Sequence, residues 1–132
     1  MEKVSTLGVD LAKNDFQVCG MNRIGKVIFN RKMSRSKFLD FVVNLAVTEN
    51  FYVAMEACSS ANHWGRQLVR LGFEVKLISP QFVKPFVKSN KNDRNDAEAI
   101  AEASLRPTMR FVGIKSEAQQ EINAIHRVRE CL

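Results

Sequence analysis

Cysteine and histidine are scarce in this 132-residue chain, with three of the first and two of the second. Cys19, Cys58 and Cys131 are scattered and no Cys-x-x-Cys pair occurs, which argues against a disulfide framework and a structural zinc site. The thiols read as small buried apolar side chains, Cys58 beside Glu56 being the one most open to oxidation. Long apolar runs are missing as well: none approaches the roughly 20 residues that a bilayer crossing needs. The opening Met-Glu-Lys-Val-Ser lacks the basic-then-apolar layout of a secretory leader, so a cytoplasmic protein with no membrane partner is expected. The length suits one hydrophobic core and not two, and an apolar fraction of 45% is ordinary for a globular domain.

Acidic residues are absent where basic ones gather. Arg23, Lys26, Arg31, Lys32, Arg35 and Lys37 form a block with no acid inside it. Between His63 and Lys91, six more basic residues stand against Glu74 alone. A net charge of +6 laid out in this way suits a polyanion, because phosphate contacts release condensed counterions. The plainer alternative is a solvated basic surface; two blocks flanking a group of carboxylates favour nucleic acid. The contact set expected here is Lys13, Arg23, Lys26, Arg31, Lys32, Arg35, Lys84, Lys88, Lys91 and Arg94.

Periodicity supplies the frame. Val4 to Leu11, Phe16 to Met21 and Lys26 to Lys32 read as strands, separated by Lys-Asn-Asp and Asn-Arg-Ile-Gly turns too short for crossovers. Phe38, Phe41, Val42 and Leu45 mark one face of a helix capped by Ser34 or Ser36 and running to about Glu49. Phe51 to Met55 is a continuous apolar run, as in a strand buried on both faces, and ends at Glu56. Ser59 or Ser60 caps a second helix that Gly72 stops, and Glu74 to Ile78 is a fifth strand. A short basic helical turn (Gln81 to Val87), a loop (Lys88 to Asn92) and a helix (Asp93 to Leu105) follow. Phe111 to Ile114 reads as extended, and from Ser116 the stripe Ala118, Ile122, Ile125, Val128, Leu132 approaches heptad spacing with no stop signal before the end. This order predicts an α/β fold: a mixed sheet of an antiparallel three-strand meander plus parallel strands, with helices on both faces.

Four acids hold telling positions. Asp10 and Glu56 stand at the ends of strands, where functional groups of open α/β sheets collect. Asp93 and Asp96 open a helix on one face, and that face continues as Ala97, Ile100, Ala101 and Ser104, small enough for close packing on a sheet. Each acid alone is as well explained by a turn, a cap or the helix dipole. Together they suit a divalent-metal site, because converging carboxylates repel unless cations lie between them. Phosphodiester chemistry uses such oxygen-bound Mg²⁺ or Mn²⁺ to stabilise charge on the attacking and leaving oxygens.

Gly8-Val9-Asp10-Leu11-Ala12-Lys13, Met55-Glu56-Ala57 before a Trp-containing helix, and Lys91-Asn92-Asp93-Arg94-Asn95-Asp96-Ala97 together resemble the DEDD transposases of bacterial insertion sequences. That family includes pilin-gene invertases and bridge-RNA-guided recombinases. The resemblance spans Val4 to about Arg129 and implies an RNase H-like (RuvC-like) fold. It makes Asp10, Glu56, Asp93 and Asp96 the catalytic metal ligands for DNA recombination, with a structured guide RNA in some members. It also implies a catalytic domain over 1–114, the start of a helical, dimer-forming connector over 115–132, and a serine-bearing C-terminal domain that this chain does not include. The isolated domain is then expected not to complete recombination, and neither Ser59 nor Ser60 is the nucleophile. A Holliday-junction resolvase and a non-catalytic RNA-binding module are the rivals. An actin-like or sugar-kinase half-domain lacks support, since no Gly/Thr-rich loop follows Asp10.

Overall fold

The fold comes from a computed structural model, which describes residues 2–87, 93–116 and 118, residues 93 and 94 through their backbone. In chain order the elements are β1 (Val4–Leu11), β2 (Asp15–Met21), β3 (Val27–Ser34), α1 (Arg35–Val43), β4 (Val47–Glu56), α2 (Ser59–Arg70), β5 (Glu74–Ile78), α3 (Pro80–Val83) with a 3-10 turn at Lys84–Phe86, and α4 (Asp93–Ser104). The strands form one sheet in the order β3-β2-β1-β4-β5. The β1–β2 and β2–β3 pairs are antiparallel and the β1–β4 and β4–β5 pairs parallel, as the turn and crossover lengths require.

One face of the sheet carries the larger apolar layer. Leu7 and Val9 of β1, Phe16 and Val18 of β2, and Val53 and Met55 of β4 pack against Phe38 and Val42 of α1 and Ala61 and Leu68 of α2. Phe16, Phe38 and Trp64 meet edge to face, with centroids 5.1 to 5.8 Å apart, the geometry favoured by the ring quadrupoles.

The opposite face is built from smaller residues and receives α4. A Cβ at Gly8 would lie 2.5 Å from the Ala97 carbonyl oxygen and 2.8 Å from both the amide nitrogen and Cβ of Ala101. Only a glycine lets the helix backbone come that close. Further along, Ser104 Oγ donates to the Ala101 carbonyl at 2.7 Å, so the Tyr52 hydroxyl, 2.8 Å away, donates to Ser104. Both residues are buried, and this pair ties the C-terminal end of α4 to β4. Tyr52→Phe should lower unfolding free energy by about 1 kcal/mol, the usual net value of one such bond, with chemical denaturation as the measurement.

After α4 the chain passes around the β5 edge. The Val112 N–H donates to the Leu77 carbonyl at 2.8 Å, Ile114 abuts Gly65 of α2, and the Lys115 N–H donates to Asn62 Oδ1 at 2.6 Å. The extended reading of 111–114 fits this crossing; the helix expected from Ser116 onward lies outside the described residues, apart from Ser116 and Ala118.

Several local expectations need correction. Helix α1 stops at Val43 and not near Glu49: the Asn44 side chain donates to the Asp40 carbonyl, and β-branched Val47 and Thr48 already belong to β4. Ser34 is the N-cap residue of α1, but its hydroxyl meets that of Ser36 at 3.2 Å and makes no capping bond. Neither Ser59 nor Ser60 caps α2. Cys58 holds that position in extended conformation and is exposed, unlike buried Cys19, so the reading of Cys58 as a buried apolar side chain fails. Gly72 does end α2, with φ of 94° in the region glycine tolerates.

Candidate active site

Register decides what meets Asp10. On parallel neighbours Gly8 pairs with Ala54 and Val9 with Met55, so one residue further Asp10 stands beside Glu56. Side chains alternate along a strand, so Asp10 shares the face of Gly8, and Glu56 that of Ala54. Both carboxylates therefore leave the sheet on the α4 side, at the carboxyl ends of strands roughly 4.8 Å apart. Each is half-buried and already has an interaction partner.

The direction of α4 brings its first turn to the same end. Ser104 lies at Tyr52, which pairs with Thr6, whereas Ala97 lies over Gly8. The helix thus runs antiparallel to β1. From Ala97 back to Asp93 is four residues, about 6 Å of helix; from Gly8 on to Asp10 is two, about 7 Å of strand. The backbone of Asp93 heads the stripe that continues through Ala97 and Ala101 over β1 and β2. Asp96 is half-buried and heads the neighbouring stripe, Ala99, Ile100 and Ala103, which packs toward β4 and β5. The apolar face of α4 is wider than the one read from the sequence, since Ala99 and Ala103 are buried too.

Among the described residues, no three Asp, Glu, His or Cys side chains gather closely enough to hold a metal ion. The side chains of Asp93 and Arg94 lie outside the described residues, as do Lys88 and Lys91. What the fold brings together is the strand-borne pair, Asp10 and Glu56, with the opening of α4 at their end of the sheet. The donor chemistry of that pair, hard carboxylate oxygens on a rigid frame, fits Mg²⁺ or Mn²⁺.

The basic residues divide into groups. Lys32 pairs across β2 with Gln17, which pairs with Asp10, so all three share a row on the α4 face. Arg35 donates to the Lys13 carbonyl at 3.0 Å, which sets both at the same end, beside the β1–β2 turn. Arg23 and Lys26 lie in the β2–β3 turn at the opposite end, where Asn22 Oδ1 accepts from the Ile24 and Lys26 amides. Arg31 is on the other face, its guanidinium 4.9 Å from the Phe29 ring centroid and 5.1 Å from that of Phe41. Lys84 is exposed on the 3-10 turn. Gln17, missed in the sequence, is 5% exposed and donates to Asn30 Oδ1 at 2.7 Å, forming a polar row next to Asp10. Its signal was the tight turn after Leu11, which fixes Gln17 opposite Asp10.

A family model described as a transposase, of the DEDD type named for insertion sequence IS110, matches residues 7–132. The chain belongs to this transposase family. With that membership the mixed sheet is the RNase H-like arrangement of a DEDD transposase domain. The chain is 50% identical over all its 132 residues to the transposase for insertion sequence element IS1111A of Coxiella burnetii, covering 35% of that protein. It is 50% identical over 129 residues to a probable family 20 transposase of Pseudomonas aeruginosa, 98% of this chain and 37% of the other. A third relative, the transposase for element IS1328 of Yersinia enterocolitica, is 47% identical over 132 residues, the whole of this chain and 39% of its own length. The chain thus spans little more than a third of these transposases. No helix among the described residues is long and apolar enough to cross a membrane.

Proposed function

We propose that this domain supplies a four-carboxylate divalent-metal site, Asp10, Glu56, Asp93 and Asp96, for DNA strand cleavage and transfer by a cytoplasmic transposase. The observation that supports it most is the parallel register of β1 and β4, with α4 opening at the same edge. Asp10 and Glu56 provide the fixed half of the site. The opening of α4, held by Gly8 and Ala97, delivers Asp93 and Asp96 to it. A bound Mg²⁺ or Mn²⁺ supplies Lewis acidity and neutralises charge at the scissile phosphate.

Lys13, Lys32 and Arg35 border the carboxylates and bind the phosphates that flank the cut. Arg23 and Lys26 at the far turn, Arg31 on the α1 face and Lys84 on the 3-10 turn extend the basic surface, and together with Lys88, Lys91 and Arg94 they bind longer DNA or a structured guide RNA. In the whole transposase a serine-bearing C-terminal domain completes a composite site, and residues 115–132 begin the connector through which subunits pair. The domain alone is therefore inactive in recombination.

Metal linkage tests this reading without any turnover. Mn²⁺ at about a hundred times its Kd should add about 2.7 kcal/mol to the stability of the wild-type chain, a rise of several degrees in Tm. Glu56→Gln should abolish the rise. A wild-type Tm that stays flat across a full titration with either ion would refute the metal site.

A further inference from the structure

A groove of about 590 Å³ lies beside the C-terminal end of α4, between the 3-10 turn and the segment that follows α4. Phe82, Pro85 and Phe86 form one wall, and Arg106, Met109 and Arg110 the other. Phe82 is 40% exposed, unusual for a phenylalanine this close to the core residue Val83. The Arg106 guanidinium lies 5.6 Å from the Phe86 ring centroid, so cation and ring present a stacked surface. Both arginines are exposed, and no acidic residue lines the groove among the described residues.

We propose that this groove binds an unpaired stretch of DNA strand, with bases stacking on Phe82 and the Arg106–Phe86 pair and the backbone passing Arg106 and Arg110. The inference rests on the reading of the chain as part of a DNA transposase and adds a single-strand subsite to it. Two features argue for this occupant over an apolar protein segment. The groove combines open aromatic faces with guanidinium groups, the chemistry that holds single strands irrespective of sequence. Its charge is of one sign, which a polyphosphate complements and a neutral peptide does not. Duplex DNA is excluded, because its bases are not available for stacking on a side chain.

The test uses the 132-residue chain with fluorescent single-stranded DNA of about a dozen nucleotides, the matching duplex, RNA of the same sequence and an acidic peptide, read by anisotropy across a salt series. Phe82→Ala and Arg106→Ala should each weaken single-strand DNA binding about tenfold. Phe82→Ala should leave the salt slope alone, whereas Arg106→Ala should reduce it by about 0.7, the share of one phosphate contact. Arg70→Ala, which removes an exposed charge from α2 on the opposite side of the sheet, should change affinity by less than about twofold. The subsite is overturned if Phe82→Ala and Arg106→Ala bind like wild type, or if Arg70→Ala loses as much as Arg106→Ala. A loss confined to duplex or RNA, or a peptide that displaces the DNA strand, also overturns it. A wild-type chain that binds no DNA even at low salt overturns the DNA reading itself along with the subsite.

Discussion

Asp10→Asn is expected to reduce recombination by about a thousandfold or more in the transposase that carries this domain, while leaving its fold intact. Asparagine keeps the shape of aspartate, removing the charge and exchanging one acceptor oxygen for an amide donor, so β1 and its backbone pairings with β2 and β4 survive. Two consequences follow from the position beside Glu56. The neutral amide relieves repulsion from Glu56 but weakens the interaction Asp10 already makes, so Tm without metal should shift by no more than a few degrees. Affinity for Mg²⁺ or Mn²⁺ should fall, and with it the stabilisation of charge on the attacking and leaving oxygens. Nucleic-acid binding should stay within about twofold, since phosphate contacts come from the basic residues and not from the acids. Recombination measured alongside DNA binding separates these quantities. Activity above a tenth of wild type would show that Asp10 holds no essential ion, and equal loss of binding and activity would recast the domain as a binding module.

The parts of the fold legible in the sequence were those written in local pattern. Phe51 to Met55 identified β4 because a strand buried on both faces is apolar throughout, and Gly72 identified the end of α2 because only a positive φ suits the turn there. Pattern did not reach contacts between distant segments. Cys58 looked like any small apolar residue, yet the turn from Glu56 into α2 leaves it at the surface. The basic block from Arg23 to Lys37 is one run in sequence, but a hairpin alternates its faces and separates its ends. Lys32 and Arg35 arrive near Asp10, Arg31 turns to the α1 face, and Arg23 and Lys26 go to the far turn. Of the four acids, pairing register places Asp10 beside Glu56, a relation that follows from where β4 sits in the sheet and not from any spacing. Nothing in the local pattern around Gly8 demands a glycine; the close approach of α4 does.

Gly8 also gives the second large effect. Gly8→Ala should lower unfolding stability by about 2 to 3 kcal/mol, at the upper end for one added methyl group, because most of what it meets is backbone. The Ala97 carbonyl oxygen at 2.5 Å and the Ala101 nitrogen at 2.8 Å cannot rotate away as a side chain would. Relief requires α4 to move off β1, which opens the seam lined by Cys19, Met21, Ala97 and Ala101. The same movement withdraws the opening of α4 from Asp10 and Glu56, so metal-induced stabilisation and recombination should both fall although no acid has changed. Adding Ala101→Gly removes the clash with that Cβ, also 2.8 Å away, and should recover only part of the loss, since the two backbone contacts persist. Urea denaturation of the single and double variants, with and without Mn²⁺, measures both. Full recovery in the double variant would mean that the helix rests on side chains alone. A stable Gly8→Ala that still gains normally from metal would mean that the seam does not set the distance between the two halves of the site.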